Sequence, residues 1–250
     1  GKNKIKPAEH GHGFSLEQQL AEARKRLKPE VLNKVTTLEK IITSERDFVR
    51  RGQHYDSLIR VASSNGEFVL AARKAEEKAV HNNGSGADWE HAGRRYYSAI
   101  AYQRERENVP VLYESAIRCY NKALDLEPDN AAAKIGLGIS VVQSSSDPMQ
   151  GVKLLLEVEK ADSTNVDVQL ALGDLAVESK QYDKAVLRYG TALRLRPDLY
   201  GIHLSLADVH NLLGDTATAI AHLEEYVKSE TDPVTKNDIQ NAISRLRTGK

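Results

Sequence analysis

One cysteine, Cys119, is all the thiol chemistry in the chain, which leaves no intramolecular disulfide framework and no zinc site built on several thiolates. Net charge is missing too, because Lys plus Arg number 35 and Asp plus Glu number 35. Without a basic excess to neutralise phosphates, no nucleic-acid partner is expected. No window approaches the ~18 consecutive apolar residues of a membrane span, so this segment is expected to be soluble, without direct membrane insertion. The N-terminus has no apolar signal-peptide core, and its opening Gly1-Lys2-Asn3, without Met, is compatible with a processed or a truncated chain, with or without a removed signal or anchor. Sustained period-2 alternation bounded by hairpin turns is absent, and with it any credible strand.

Motif chemistry is equally sparse. Gly136-Leu137-Gly138 lies inside a helical pattern and not after a strand, so it is no phosphate loop. No Ser, His and Asp set falls in motif form, and carboxylates on exposed helices are solvated by default, so no catalytic residue and no cofactor is expected. His10-Gly11-His12 and the pair His203 and His210 lack the further ligands a zinc site needs, so no metal is expected. Cys119, beside Tyr120 on an apolar helix face, reads as a buried small hydrophobe. Arg24-Lys25-Arg26-Leu27-Lys28 follows Glu17 and Glu22 without interleaved aromatics, and reads as a solvated helix end with cations at the favourable C-terminal pole.

What the chain does have, over 250 residues that are 40% hydrophobic, is helix in short amphipathic runs punctuated by Pro, Gly, Asn and Asp. Residues 1–13 form an expected flexible leader. Ser15-Leu16-Glu17-Gln18 has the capping-box form and opens a helix to about Leu27, and Pro29 starts a second lined by Leu32, Val35, Leu38, Ile41 and Ile42. Helices at about 46–64 and 67–81 pair across Ser64-Asn65-Gly66 as a degenerate repeat. Asn82-Asn83-Gly84-Ser85-Gly86 breaks the chain before a long helix through Trp89, Tyr96, Tyr97 and Ile100.

The period emerges beyond that break. Leu137-Gly138, Leu172-Gly173 and Leu206-Ala207 are 35 and then 34 residues apart (138 to 173, 173 to 207). From Gly173, Ala185, Tyr189, Ala192 and Pro197 follow at offsets of 12, 16, 19 and 24, and Ala116, Tyr120, Ala123 and Pro128 repeat those spacings one unit earlier, where Gln103-Arg104 replaces Leu-Gly. In the second unit Gly151 takes the small position after a one-residue insertion, and Ala219 and Leu223 mark the fourth. A small residue lets two helices approach, and an aromatic one turn on fills the space beside it. These spacings resemble the tetratricopeptide repeat.

The resemblance implies an all-α fold: a right-handed superhelical solenoid of antiparallel helix pairs, with a polar-faced capping helix at its C-terminus. The expected organisation is a leader at 1–13, an N-terminal helical region at 14–86 with the degenerate repeat, four units at 87–232, and a cap and tail at 233–250. The Asp147-Pro148-Met149-Gln150-Gly151 opening followed by Leu154-Leu155 also resembles repeat proteins of Bacteroidetes-type bacteria with an N-terminal membrane segment, which implies the periplasmic part of an anchored bacterial protein, the alternative being a cytoplasmic one.

Family members hold peptides or protein surfaces in a concave groove lined by the first helix of each repeat. Transferred by offset, the groove positions are Ala101, Tyr102 and Glu105 in the first unit and Ile135, Ile139 and Val142 in the second. In the third they are Leu170, Asp174 and Val177, and in the fourth Leu204, Asp208 and Asn211. That surface is apolar with an acidic trim, suited to an apolar or mildly basic segment, and some of these residues, Leu170 and Leu204 above all, are equally placed to pack between helices. It lacks the Lys, Arg and Asn that would clamp the terminal carboxylate of an acidic chaperone tail. The expected function is a protein-interaction scaffold, not an enzyme. The alternative is a structural protein that self-assembles through its apolar ridge or N-terminal helices.

Overall fold

The structure, a computed structural model, describes residues 14–248. The expected leader, with His10 and His12, lies outside the described residues. Thirteen α-helices and one 3-10 turn, with no strand, make up the regular structure among the described residues. None of these helices is long and apolar enough to cross a membrane. The chain forms two compact units that divide after Leu154.

Local chemistry sets most helix starts. In α1 (Leu16–Arg26) the capping box forms as expected: Gln18 N donates to Ser15 Oγ at 3.2 Å and Ser15 N to Gln18 Oε1 at 2.8 Å. Pro29 opens α2 (Pro29–Ser44), and Asp47 caps α3 (Phe48–Ser64) by accepting from Arg50 N at 2.8 Å. Gly66, at φ 75°, turns the chain into α4 (Phe68–His81) in the left-handed region that glycine adopts freely. Ser85 and Asp88 form a second capping box before α5 (Gly86–Ile100). The N-terminal unit continues with the 3-10 turn (Arg106–Asn108), α6 (Pro110–Leu126) and α7 (Ala131–Ser144). The division between the units falls inside α8 (Pro148–Ala161).

The C-terminal unit carries α9 (Val166–Glu178), α10 (Tyr182–Leu195), α11 (Ile202–Leu212), α12 (Thr216–Ser229) and α13 (Pro233–Thr248). Within each unit, helices joined by short turns pack antiparallel in series: α3 to α4 to α5 to α6 to α7 in one, α9 to α10 to α11 to α12 to α13 in the other. In the N-terminal unit α5 also touches α7, so alternate helices share a face. The expected cap is α13, whose Ile243 is buried with Leu223 and Ala207 while Ile239 and Leu246 pack around them.

Small residues under tyrosine rings are the packing device. A Cβ on Gly173 would stand 2.6 Å from Tyr189 Cε1, closer than real atoms approach. Tyr120, on α6, fills two such spaces, since a Cβ on Gly93 of α5 would lie 2.9 Å from its ring and one on Gly136 of α7 would overlap it. Gly151 likewise lets α8 approach the Gly138 carbonyl of α7.

One part of the expected register is corrected. In the first unit the residue that admits the tyrosine is Gly93, not the Gln103-Arg104 position. Here α5 ends at Ile100 and α6 begins at Pro110, so a connection of residues 101–109 lengthens the unit. A strict period of 34 steps over that lengthening and lands in the connection. Ala101, Tyr102 and Glu105 therefore stand outside the helix that was expected to present them.

Candidate protein-binding groove

The C-terminal unit carries half of the expected groove positions, on α9 and α11. On α9, Asp174 is exposed, while Leu170 and Val177 are half-buried against the core that α10 and α11 share. On α11, Asp208 and Asn211 are exposed and Leu204 is half-buried, packed near Leu223 and Ile243. Leu204, Asp208 and Asn211 line a depression of about 460 Å³ with Leu223, Arg245 and Leu246. The sequence reading missed the wall from α13, because the cap was read only as a lid on the core.

The acidic trim converges on one hydroxyl. Tyr189 donates its O–H to Asp174 Oδ1 at 2.6 Å. Burial raises that phenol's pKa above the ordinary tyrosine range, the Asp174 hydrogen bond adds to the shift, and the carboxylates of Asp174, Asp208 and Glu178 push it further. Asp174 of α9 holds that hydroxyl directly, and Asp208 of α11 acts on it through its charge.

In the N-terminal unit the expected positions divide differently. Ile135 is 7% exposed and belongs to the core, while Ile139 and Val142 are half-buried, Val142 against the Gly151 approach. Tyr102 stacks on Phe68 with ring centroids 3.8 Å apart, and Glu105 accepts from Asn108 Nδ2 at 3.2 Å. These two sit with the start of α4 and not with the α7 positions.

Other candidates resolve into packing. Cys119 is fully buried, and its thiol pKa is raised first by burial and then by Glu76. Glu76 itself is buried and satisfied from two helices: Tyr96 O–H donates to Oε2 at 2.6 Å, and Arg118 donates through Nε and Nη2 to Oε1 at 3.1 and 2.9 Å. The basic run on α1 is more than a solvated end. Arg24 pairs with Glu39 of α2, and Arg26 is bidentate to Glu67 at 3.0 and 2.7 Å, tying α1 to the start of α4.

A third imidazole joins the pair noted in the sequence. His203 Nδ1 lies 3.0 Å from His222 Nδ1, and the His210 and His222 ring centroids are 5.5 Å apart. Among the described residues no set of three His, Cys, Asp or Glu side chains is placed to hold a metal ion. Burial lowers the His222 pKa, and His203 and His210 lower it further, opposed by Glu225. A histidine with a folded pKa below its unfolded value binds fewer protons when folded, so stability falls as the pH drops through about 6.5. The unfolding midpoint of the chain is expected to fall on moving from pH 7.5 to 5.5, and to fall less in His222→Gln. An equal fall in both proteins would count against this.

Comparison with known proteins agrees with the helix pairs. A tetratricopeptide-repeat family model matches residues 170–233, and a second matches residues 112–130. A Haemophilus influenzae protein named for cytochrome c-type biogenesis is 32% identical over 84 residues, which is 33% of this chain. The chain covers only 18% of that relative. A tetratricopeptide-repeat protein of Parabacteroides merdae, at 15% identity, superposes over 94% of this chain and 88% of its own with a TM-score of 0.62. A thermophilic one from Thermus thermophilus, also at 15%, covers 79% of this chain and 99% of its own with a TM-score of 0.60. The last two likenesses concern the fold alone. With small residues seated under Tyr120 and Tyr189 and the family models matching around both, the chain carries tetratricopeptide repeats in these two stretches.

Proposed function

We propose that the chain is a protein-interaction scaffold that holds an apolar, basic peptide segment on the face formed by α9, α11 and α13. The observation that carries this reading is an apolar-lined depression with acidic residues beside it: Leu204, Leu223 and Leu246 line the depression with Asp208, and the charges of Asp174 and Asp208 both act on the Tyr189 hydroxyl. An amphipathic segment would set its apolar side chains on the leucines and a Lys or Arg among the acids. Arg245, which also lines the depression, would set its direction by meeting a carboxylate.

Site-specific photocrosslinking tests the location. A benzoylphenylalanine at Asn211, on the proposed face, is expected to crosslink a partner in extract of the source cells. The same probe at Leu187, exposed on α10, is expected to capture little of it. Equal capture at both positions, or capture at Leu187 alone, would sink the assignment.

A further inference from the structure

A second cavity, of about 670 Å³, opens in the N-terminal unit where α1, the start of α4 and the 101–109 connection meet. Two of the expected first-unit groove positions, Tyr102 and Glu105, line it, with Phe14, Gln19, Glu67, Phe68 and Arg104 among its other walls. Its unusual member is Gln19, only 5% exposed. The Gln19 Nε2 group donates to Phe14 O at 3.2 Å and to Asn108 O at 2.9 Å, while Oε1 has no hydrogen-bond partner. Flipping the amide would turn the oxygen against two carbonyl oxygens, so those two bonds fix which atom is the acceptor. An acceptor buried without a donor is costly, and such a group calls for an explanation.

The rest of the cavity narrows what could supply the donor. Tyr102 is 60% exposed and stacks on Phe68, which gives an aromatic face open to a ligand. Among the charged lining residues, Arg26 and Glu67 neutralise each other through two hydrogen bonds. Glu22 pairs with Lys25 at 2.7 Å, which leaves Glu105 against Arg104 and no excess of either sign. An acceptor awaiting a donor beside an open aromatic face suits an ammonium on an apolar stem.

We infer that this cavity binds a lysine side chain of a partner peptide, its stem along Tyr102 and its ammonium donating to Gln19 Oε1. The acceptor lies beneath the surface, so binding requires a side chain of the wall to move, and Arg104, exposed on the connection, can turn aside while Tyr102 stays stacked on Phe68. The site is independent of the α9, α11 and α13 face.

Amide-resolved NMR of the full chain tests it, with the Gln19 side-chain amide as the reporter. The probes are an acetylated, amidated pentapeptide with a central lysine, the same peptide with norleucine there, and butylamine. The lysine peptide is expected to shift the Gln19 side-chain and Tyr102 backbone signals saturably, with the norleucine peptide weaker by about tenfold or more. Tyr102→Ala should weaken the lysine peptide by a similar factor, and Asp208→Lys should leave its binding unchanged. Equal binding of the lysine and norleucine peptides would overturn the inference. So would butylamine matching the peptide, which would mark a free-amine site, or no shift at millimolar peptide, which would leave the acceptor to water.

Discussion

Tyr120→Ala is expected to destabilise the N-terminal unit by about 3–5 kcal/mol, the range for deleting a large buried aromatic. The ring is buried on α6 and fills the space that Gly93 of α5 and Gly136 of α7 leave open, so its loss empties one cavity bordered by three helices. Neither backbone can close onto that space without moving a whole helix, which is why the upper end of the range applies. Urea unfolding followed through Trp89, the single tryptophan and a buried residue of α5, reads the change where it occurs. Tyr120→Phe keeps the ring and should keep most of the stability. Gly136→Ala presses a methyl into the same ring; the overpacking cost of about 1–3 kcal/mol should outweigh the helix-propensity gain of up to about 1 kcal/mol. A Tyr120→Ala midpoint within experimental error of the parent would mean that the ring is not the wedge described.

That wedge also explains what could be read from the sequence. Leu172-Gly173 with Tyr189 was legible because the small residue and the aromatic it admits sit at the repeat's regular spacing, and Leu137-Gly138 and Leu206-Ala207 repeat the Leu-small pair one period to either side. Ser15 and Pro29 were legible because helix starts are local chemistry. The first unit's register was not, because the longer 101–109 connection shifts Gly93 out of phase with the period, and only Ala92-Gly93 inside an aromatic-rich helix marked it. Contacts between distant residues left no pattern at all. Glu76 meets Tyr96 and Arg118, His222 joins His203 and His210, and Gln19 reaches Asn108, each across turns whose geometry no spacing rule supplies. At the candidate site, the exposed acids Asp174 and Asp208 were found by offset. Arg245 was missed because it lies on the cap, and Ile135 was nominated although it is core.

Reversing the acidic trim should remove binding while sparing the fold. Asp208→Lys with Asn211→Lys changes two exposed side chains on α11, neither of which caps a helix. Asp174 is the poorer target, since it accepts the Tyr189 hydroxyl bond and its loss would disturb packing as well as charge. Two added cations facing a basic segment replace attraction with repulsion, and the expected loss of affinity is at least about tenfold, or ~1.4 kcal/mol, and greater at low salt. The direct measurement is affinity capture from extract of the source cells, intact chain beside the double variant, with retained proteins identified by mass spectrometry and helicity checked in both. The account predicts a partner held by the intact chain and lost by a variant of unchanged helicity; a partner retained equally by both would contradict it.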